Sequence, residues 1–579
     1  MEKTTTEQTT NANEKQLEKI IPATPHLRHI EKTLSLLSPE TDEGGHEVNW
    51  KNLSEKVEPW NSGIELSNEI RNVVREYVLS KFPEIKEKIP SLSELPEDEM
   101  LNAITNGWFE EVGEEVGGKR KEVLLSVLAH IARKIETRIY KQVLHKASDE
   151  ELGKLGLNDN FRQIVIDCLE ASAKADPLFI RFLAYVQLSP KPTEDATATN
   201  LIGPDEAPYT FAELFPHETQ AISTKLFALA ENNVKWRNEP GADEFKDYAI
   251  TLAEFYGETD PKKTGALHSQ VEEKYKKLIA TEFPLAIIPP VEGYYKPPYL
   301  DPELRVVVRT ADSKAQEENF RPLQSSLADN LAKLGVPQFA EEIKKKLIRN
   351  YISIGSYGVN LTFTAAAQQE PAIILFLDEQ IRAYDKNLKD FLPFVDSPEG
   401  TFSQTSPEEI ESMSRNDTIL HEFSHSVYSK GTPESERMGQ NQQKPLAETT
   451  AESIHRGLAK EMIEKKQLPY TEDQYIAMSI GMALQSIKSN TPDDEYFQAD
   501  VFVLNGLFEK GIAEFDGKKI KVKDKEAFFQ YYKDNAKEII ALYEDKEVTP
   551  NKAKKWLAKK CTAGEQLQRV IEYMKTEKE

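Results

Sequence analysis

An α+β fold divided into two lobes or several domains is what this sequence predicts, on three observations. The chain has 579 residues, 39% of them hydrophobic, which is longer than one core usually organises and apolar enough to build more than one. Apolar residues recur at helical spacing over long stretches on both sides of the middle of the chain. Short runs rich in β-branched residues lie between them: LRVVVRT at 304–310 and AIILFLD at 372–378 are strand candidates.

The opening MEKTTTEQTTNANEKQ is rich in Thr, Asn and Gln, lacks an apolar h-region and reads as disordered. Residues 65–190 read as mostly helices, with LSNEIRNVVREYVLSKF and KRKEVLLSVLAHIARKIETRIYKQVL the clearest and His130 packed among them. SPKPTEDATATNLIGPDEAPY, at 189–209, has the Pro, Thr and Asp content of a loop or boundary, and amphipathic helices follow to about Leu278. After 406 nearly everything is helical apart from one hairpin turning at Asp516-Gly517. One helix there opens on a Ser406 cap, with Pro407 at its first position and Glu408 and Glu409 in its first turn, and is stopped by Gly431 and Pro433. The next, KPLAETTAESIHRGLAKEMIEKK, has Pro445 at its start and Pro469 beyond its end. No internal repeat is visible.

Charge and cysteine content narrow the function classes. With 73 basic against 97 acidic residues the formal net charge is −24, which argues against nucleic acid or an anionic membrane as the main partner. Cys168 and Cys561 are too few for a disulfide framework and lack metal-binding spacing, so a metal would have to be held by His and Glu. No run approaches the roughly 18 apolar residues of a membrane span. As it stands the chain reads as cytoplasmic. Its polar opening also resembles the tether of an exported lipoprotein whose signal has been removed, which gives an exported or lipid-anchored protein as the alternative.

The segment His421-Glu422-Phe423-Ser424-His425 is an HExxH motif. On a helix it places two imidazoles one turn apart on one face, with a carboxylate beside them. Neutral imidazole binds zinc readily, and a catalytic zinc site needs three protein ligands and an open position for a water. The motif does not continue as HExxHxxGxxH, because Tyr428 stands at the glycine position and Gly431 at the final histidine position. The third ligand must come from elsewhere, and Glu448 is the leading candidate. Glu448 and Glu452 are four apart, so one carboxylate can bind metal while the other accepts the outer N–H of a ligand histidine. His455, seven residues beyond Glu448, can face the same place, although a packed or surface histidine is the plainer reading. The bland alternatives are a charged helix with two ordinary histidines and a solvated acidic stripe.

Here the sequence resembles a family. AETTAES is similar to the EECRAES type of signature with which dipeptidyl-peptidase III supplies its glutamate ligand, and HEFSH is similar to the five-residue HEISH form of bacterial relatives, most members carrying HExxGH. VEGYYKPPYLDPELRVVVRTADSKAQEENF resembles the segment in which the family has Glu-x-Tyr before an extended stretch, with Glu292 and Tyr294 on those positions. GVNLTF resembles GINIPN, keeping Asn360 but placing Phe363 at the second asparagine. The helix, hairpin and helix from Glu495 onward follow the family order, and Tyr496 aligns with its catalytic histidine. The resemblance covers roughly residues 290 to 550.

The resemblance implies a two-lobed, zincin-type metallopeptidase with a cleft between the lobes. Residues 1–60 form an N-terminal extension. Residues 61–312 and 351–395 make a substrate-binding lobe with helices and a small sheet, and 313–350 and 396–579 a helical zinc-binding lobe. One catalytic Zn2+ is held by His421, His425 and Glu448. Glu452 supports a ligand, while Ala447 replaces a further supporting glutamate. Glu422 takes the proton of the attacking water, and Tyr294 donates to the attacked carbonyl. At Tyr496 a phenol replaces the family's imidazole as oxyanion donor. Glu292 binds the free amino terminus of an oligopeptide and Asn360 fixes its first residues, so that dipeptides are released. The rivals are a zinc endopeptidase, an aminopeptidase, and a catalytically impaired zinc-containing peptide-binding protein.

Overall fold

A computed structural model describes residues 136–188, 199–202, 207–231, 235–292, 299–302, 304–354, 365–369, 372–375, 391–396, 407–429, 431–489 and 494–576, with isolated positions elsewhere, chiefly between 57 and 73. The expectations for the chain's opening, for most of 65–135 with His130, and for Ser406 fall outside these residues. The chain forms two compact units, residues 1–314 with 351–361, and residues 315–350 with 362–579. Contact thus places 362–395 with the second unit, whereas the expected lobes group 351–395 with the first.

The first unit is helical with a small buried sheet. Helix α1 (Asp149–Lys154) opens on a capping box: the Ser148 hydroxyl accepts from the Glu151 N–H, and the Glu151 carboxylate accepts from the Ser148 N–H at 2.7 Å. Helix α2 (Asp159–Leu188) follows, then the antiparallel pair β1 (Leu201–Ile202) and β2 (Pro208–Tyr209), so the end of the expected loop carries a short ladder. Next come α3 (Phe211–Leu214), α4 (Pro216–Glu231), α5 (Ala242–Gly257) and α6 (Pro261–Ile279), the last started by an Asp260 cap with Pro261 at its first position. Phe161, Trp236, Phe245 and Phe283 gather between these elements with ring centroids 5.0 to 5.8 Å apart. Strand β3 (Leu285–Ile288), the short antiparallel pair β4 (Val291–Glu292) and β5 (Leu300–Asp301), and strand β6 (Arg305–Val308) complete the stretch. Every residue of β3 and β6 is buried, as the apolar run Val306–Val308 leads one to expect, and Arg305 is buried with them.

The division between units falls inside α7 (Ala311–Asn330). Helix α8 (Ala340–Lys345) and β7 (Leu347–Asn350) belong to the second unit, after which β8 (Ile352–Ile354) returns to pair antiparallel with β6 in the order β3-β6-β8. Strands β9 (Ala365–Gln369) and β10 (Ala372–Leu375) form a sheet of the second unit, β10 lying parallel to β7. Strand β11 (Val395–Asp396) precedes a helical run: α9 (Pro407–Ser424), α10 (Pro433–Arg437), α11 (Gln440–Glu464), α12 (Glu472–Ser489) and α13 (Glu495–Glu509). The expected hairpin is β12 (Ala513–Phe515) and β13 (Ile520–Val522), with Gly517 at φ 106° and the Asp516 carboxylate accepting from the Lys518 and Lys519 N–H groups at 2.8 Å. β11 adds to it in parallel, a pairing of distant segments that no local pattern announced. Helices α14 (Lys525–Glu544), α15 (Pro550–Lys560) and α16 (Glu565–Thr576) close the unit.

Helix α11 is the axis of this unit. It begins at Gln440, five residues before the expected start, and Pro445 lies inside it. Gly439 explains the earlier start, because it takes φ 84° and a Cβ there would meet Pro550 Cβ at 2.7 Å. The one N–H missing at Pro445 removes a single hydrogen bond near the helix's beginning, which the buried face of α11 tolerates. At Gly457 the helix comes so close to α14 that a Cβ would lie 3.1 Å from the Tyr532 carbonyl oxygen. Helix α13 meets α14 in the same way at Gly506, where a Cβ would collide with the Tyr531 phenol, itself bonded to the Phe502 carbonyl at 3.0 Å. Gly506→Ala is therefore expected to destabilise the protein by about 1–3 kcal/mol through overpacking. A lower midpoint of thermal unfolding checks this, and an unchanged midpoint contradicts it. Among the described residues no helix is long and apolar enough to cross a membrane.

Candidate metal centre

The HExxH segment occupies the last turn of α9. The helix ends at Ser424 rather than running toward Gly431, yet the His425 N–H still donates to the His421 carbonyl at 3.3 Å, so the two imidazoles keep their one-turn spacing. The following N–H groups, of Ser426 and Val427, donate three residues back, and Tyr428 then takes φ 56°. A left-handed non-glycine residue is costly, and packing holds it here: the Tyr428 ring stacks on Tyr543 of α14 at 4.7 Å and 4°, and its hydroxyl donates to Glu544. The chain is thereby turned into α10 and α11, which bring Glu448 back to the histidines.

Three donor atoms meet at this point. His421 Nε2 lies 3.1 Å from His425 Nε2 and 3.2 Å from Glu448 Oε2, and His425 Nε2 lies 3.5 Å from Glu448 Oε2. All three residues are buried. Behind them His421 Nδ1 faces Glu452 Oε1 at 2.8 Å, the placement from which a metal-bound His421 would keep its ring proton on Nδ1 and offer Nε2 to the ion. Two imidazole nitrogens and a carboxylate oxygen this close to one another could hold a metal ion between them. Ligands about 2.0–2.1 Å from a tetrahedral zinc ion are roughly 3.3–3.4 Å apart, and two imidazoles with one carboxylate are an established zinc donor set that leaves a position open. The residues present fit zinc.

Burial and charge set the protonation of the metal-free group. Burial raises the Glu448 pKa, but His425 and His421 outweigh it and hold the carboxyl down to about 2. Burial acts in the same sense on Glu452 and is overcome by Arg456 and then His421, so this carboxyl sits well below the usual range. For His421 burial disfavours the charged ring, and Glu448 and Glu452 together push its pKa well above the ordinary imidazole value. Glu422 differs: burial raises its pKa against the pull of the two histidines, and its Oε2 has no hydrogen-bond partner among the described residues. A buried carboxyl of raised pKa beside the donor triangle is suited to accept a proton from a reactant.

Of the residues singled out from the sequence, His421, Glu422, His425, Glu448 and Glu452 are brought together. His455 is fully buried, with Nδ1 donating to the Ala451 carbonyl at 2.8 Å, Nε2 at 3.2 Å from Asp417 and its ring edge-on to His421 at 5.9 Å. It is thus a packed histidine touching the site from behind. Tyr496 stands half-buried in the first turn of α13, which is started by Asp494. Glu292 lies on β4 opposite Leu300, and Tyr294, Asn360 and Phe363 fall outside the described residues. Sequence reasoning missed Arg456 and Asp500. Arg456 is four residues beyond Glu452, the spacing of a helical ion pair, and Asp500 interrupts the apolar run of α13 between Ala499 and Val501.

No family model and no curated protein matches the chain. Solved structures do. The dipeptidyl-peptidase III of Corallococcus sp. strain EGB aligns over 77% of this chain and 96% of its own, with a TM-score of 0.53 and 15% identity. That of Caldithrix abyssi aligns over 80% and 94%, with a TM-score of 0.49 and 14% identity. The likeness to the Corallococcus structure establishes what the chain shares with it: a dipeptidyl-peptidase III-like α+β fold.

Proposed function

We propose that the chain is a zinc-dependent metallopeptidase that hydrolyses oligopeptides and releases dipeptides from their free amino ends. The observation that carries this reading is the triangle of His421 Nε2, His425 Nε2 and Glu448 Oε2, with edges of 3.1, 3.2 and 3.5 Å beside a buried Glu422. Zinc held by these groups supplies Lewis acidity toward a water and a carbonyl. Glu422 receives the water's proton and returns it to the leaving amine. Glu452 holds the outer nitrogen of His421. The phenols of Tyr294 and Tyr496 donate to the oxygen on which charge develops. Glu292 pairs with the ammonium group of the peptide, and Asn360 holds its first residues, which selects the bond cut. The dipeptidyl-peptidase III-like fold supports this choice of substrate end.

Mass spectrometry of a digested peptide, free or acetylated at its amino end, tests the reading. The zinc-loaded protein is expected to release dipeptides from the free peptide in a chelator-sensitive manner. Loss of a buried ammonium–carboxylate partnership costs about 2–5 kcal/mol, so acetylation should slow cleavage by at least roughly 30-fold. Equal internal cuts in both peptides would replace this specificity by that of an endopeptidase, and no cleavage of either would remove the peptidase reading.

A further inference from the structure

Among the described residues Arg456 is one of the largest fully buried side chains, and its guanidinium has polar partners on three helices and a ring on a fourth. Nη2 lies 2.5 Å from Glu452 Oε2 on its own helix, α11, and 3.6 Å from Asp500 Oδ1 on α13. Nη1 donates to the Ser479 carbonyl at 3.0 Å and to the Ser479 hydroxyl at 2.9 Å, both on α12. The ring of Tyr532 on α14 lies 5.8 Å away. An exposed Glu–Arg pair at this spacing would contribute little, but a buried guanidinium is kept only where its charge is met. Its planar fork also fixes direction in a way a flexible ammonium cannot.

The two oxygens of Glu452 divide between two partners. Oε2 meets Arg456, and Oε1 faces His421 Nδ1 at 2.8 Å. We infer that Arg456 is a positioning residue for the metal centre: by holding one oxygen of Glu452 it aims the other at His421 Nδ1 and keeps His421 Nε2 turned toward the donor triangle. The inference rests on the metal-centre reading above. It links the packing of α12 and α13 to a ligand that neither helix touches through its own ligating side chain. Loss of an outer partner of a ligand histidine typically weakens metal binding by about 10–100-fold.

Arg456→Met, Glu452→Met and the double variant separate this role from a structural one. Zinc affinity is measured by competition with a chromophoric chelator, and the thermal midpoint is measured on the metal-free proteins. Arg456→Met should lose about 10–100-fold in zinc affinity and unfold at a lower temperature, since it leaves a buried carboxylate without its cation. The double variant, with an apolar pair in place of the ions, should recover the midpoint while its zinc affinity stays as low as that of either single variant. Wild-type affinity in Arg456→Met overturns the inference, as does a double variant in which affinity returns together with the midpoint. Failure of the unaltered protein to bind zinc would overturn the metal-centre reading and this inference with it. Zinc uptake by the unaltered protein that Arg456→Met leaves intact overturns this inference alone.

Discussion

Glu422→Gln is expected to keep zinc and to lose peptide hydrolysis by about 10²–10⁴-fold, the usual contribution of a positioned general base. Glutamine preserves the shape and burial of the side chain but cannot take a proton from water. Because Glu422 does not contribute to the donor triangle, the substitution leaves His421, His425 and Glu448 in place. Metal analysis beside turnover of a dipeptidyl arylamide reads both halves. Turnover near that of the unaltered protein would take Glu422 out of the mechanism, and loss of zinc would show that its role is structural.

Glu448→Ala should have the larger effect on the metal itself. It removes one corner of the triangle, whose oxygen lies 3.2 and 3.5 Å from the two imidazole nitrogens, and with it the negative charge that balances the ion. Zinc affinity should fall by more than the roughly 10–100-fold expected for Glu452→Ala, which removes an outer partner. Dialysis against dilute chelator followed by metal analysis distinguishes the two variants. Full occupancy in Glu448→Ala would mean that the third donor is a different group.

Much of the second unit, and strand β6 of the first, was legible because these signals are local. HEFSH fixes two imidazoles one helical turn apart whatever lies around them, and Glu448 with Glu452 share a face by the same periodicity. Strands β6, with Val306–Val308, and β10, Ala372–Leu375, stand out because apolar runs of that length, rich in β-branched residues, are too short for a helix. Asp516-Gly517 announces its turn through the one residue that enters φ 106° without strain. What failed to show depends on distant partners. The left-handed Tyr428 is held by Tyr543, a contact across more than a hundred positions, so the sequence near His425 gave no reason to end the helix at Ser424. The start of α11 is set by Gly439 against Pro550, and Pro445, read locally, pointed to the wrong residue. Arg456 and Asp500 went unread because nothing in their neighbourhood says that α11, α12, α13 and α14 converge on the Arg456 guanidinium. The candidate substrate residues of the first unit carry only the resemblance, since Tyr294 and Asn360 lie outside the described residues.

Both halves of the donor triangle lean on α14. The turn after the histidines is held by Tyr428 on Tyr543, and the helix of the carboxylates lies against Tyr532 at Gly457. A chain made from its amino end exposes His421, His425 and Glu448 well before Lys525–Glu544 has been synthesised. Until then the left-handed turn has nothing to pay for its strain, and the ligands are donors on unclamped segments. The order of synthesis thus makes assembly of the donor triangle a late event: the geometry that the proposed zinc site requires exists only once the helix that braces both segments has arrived.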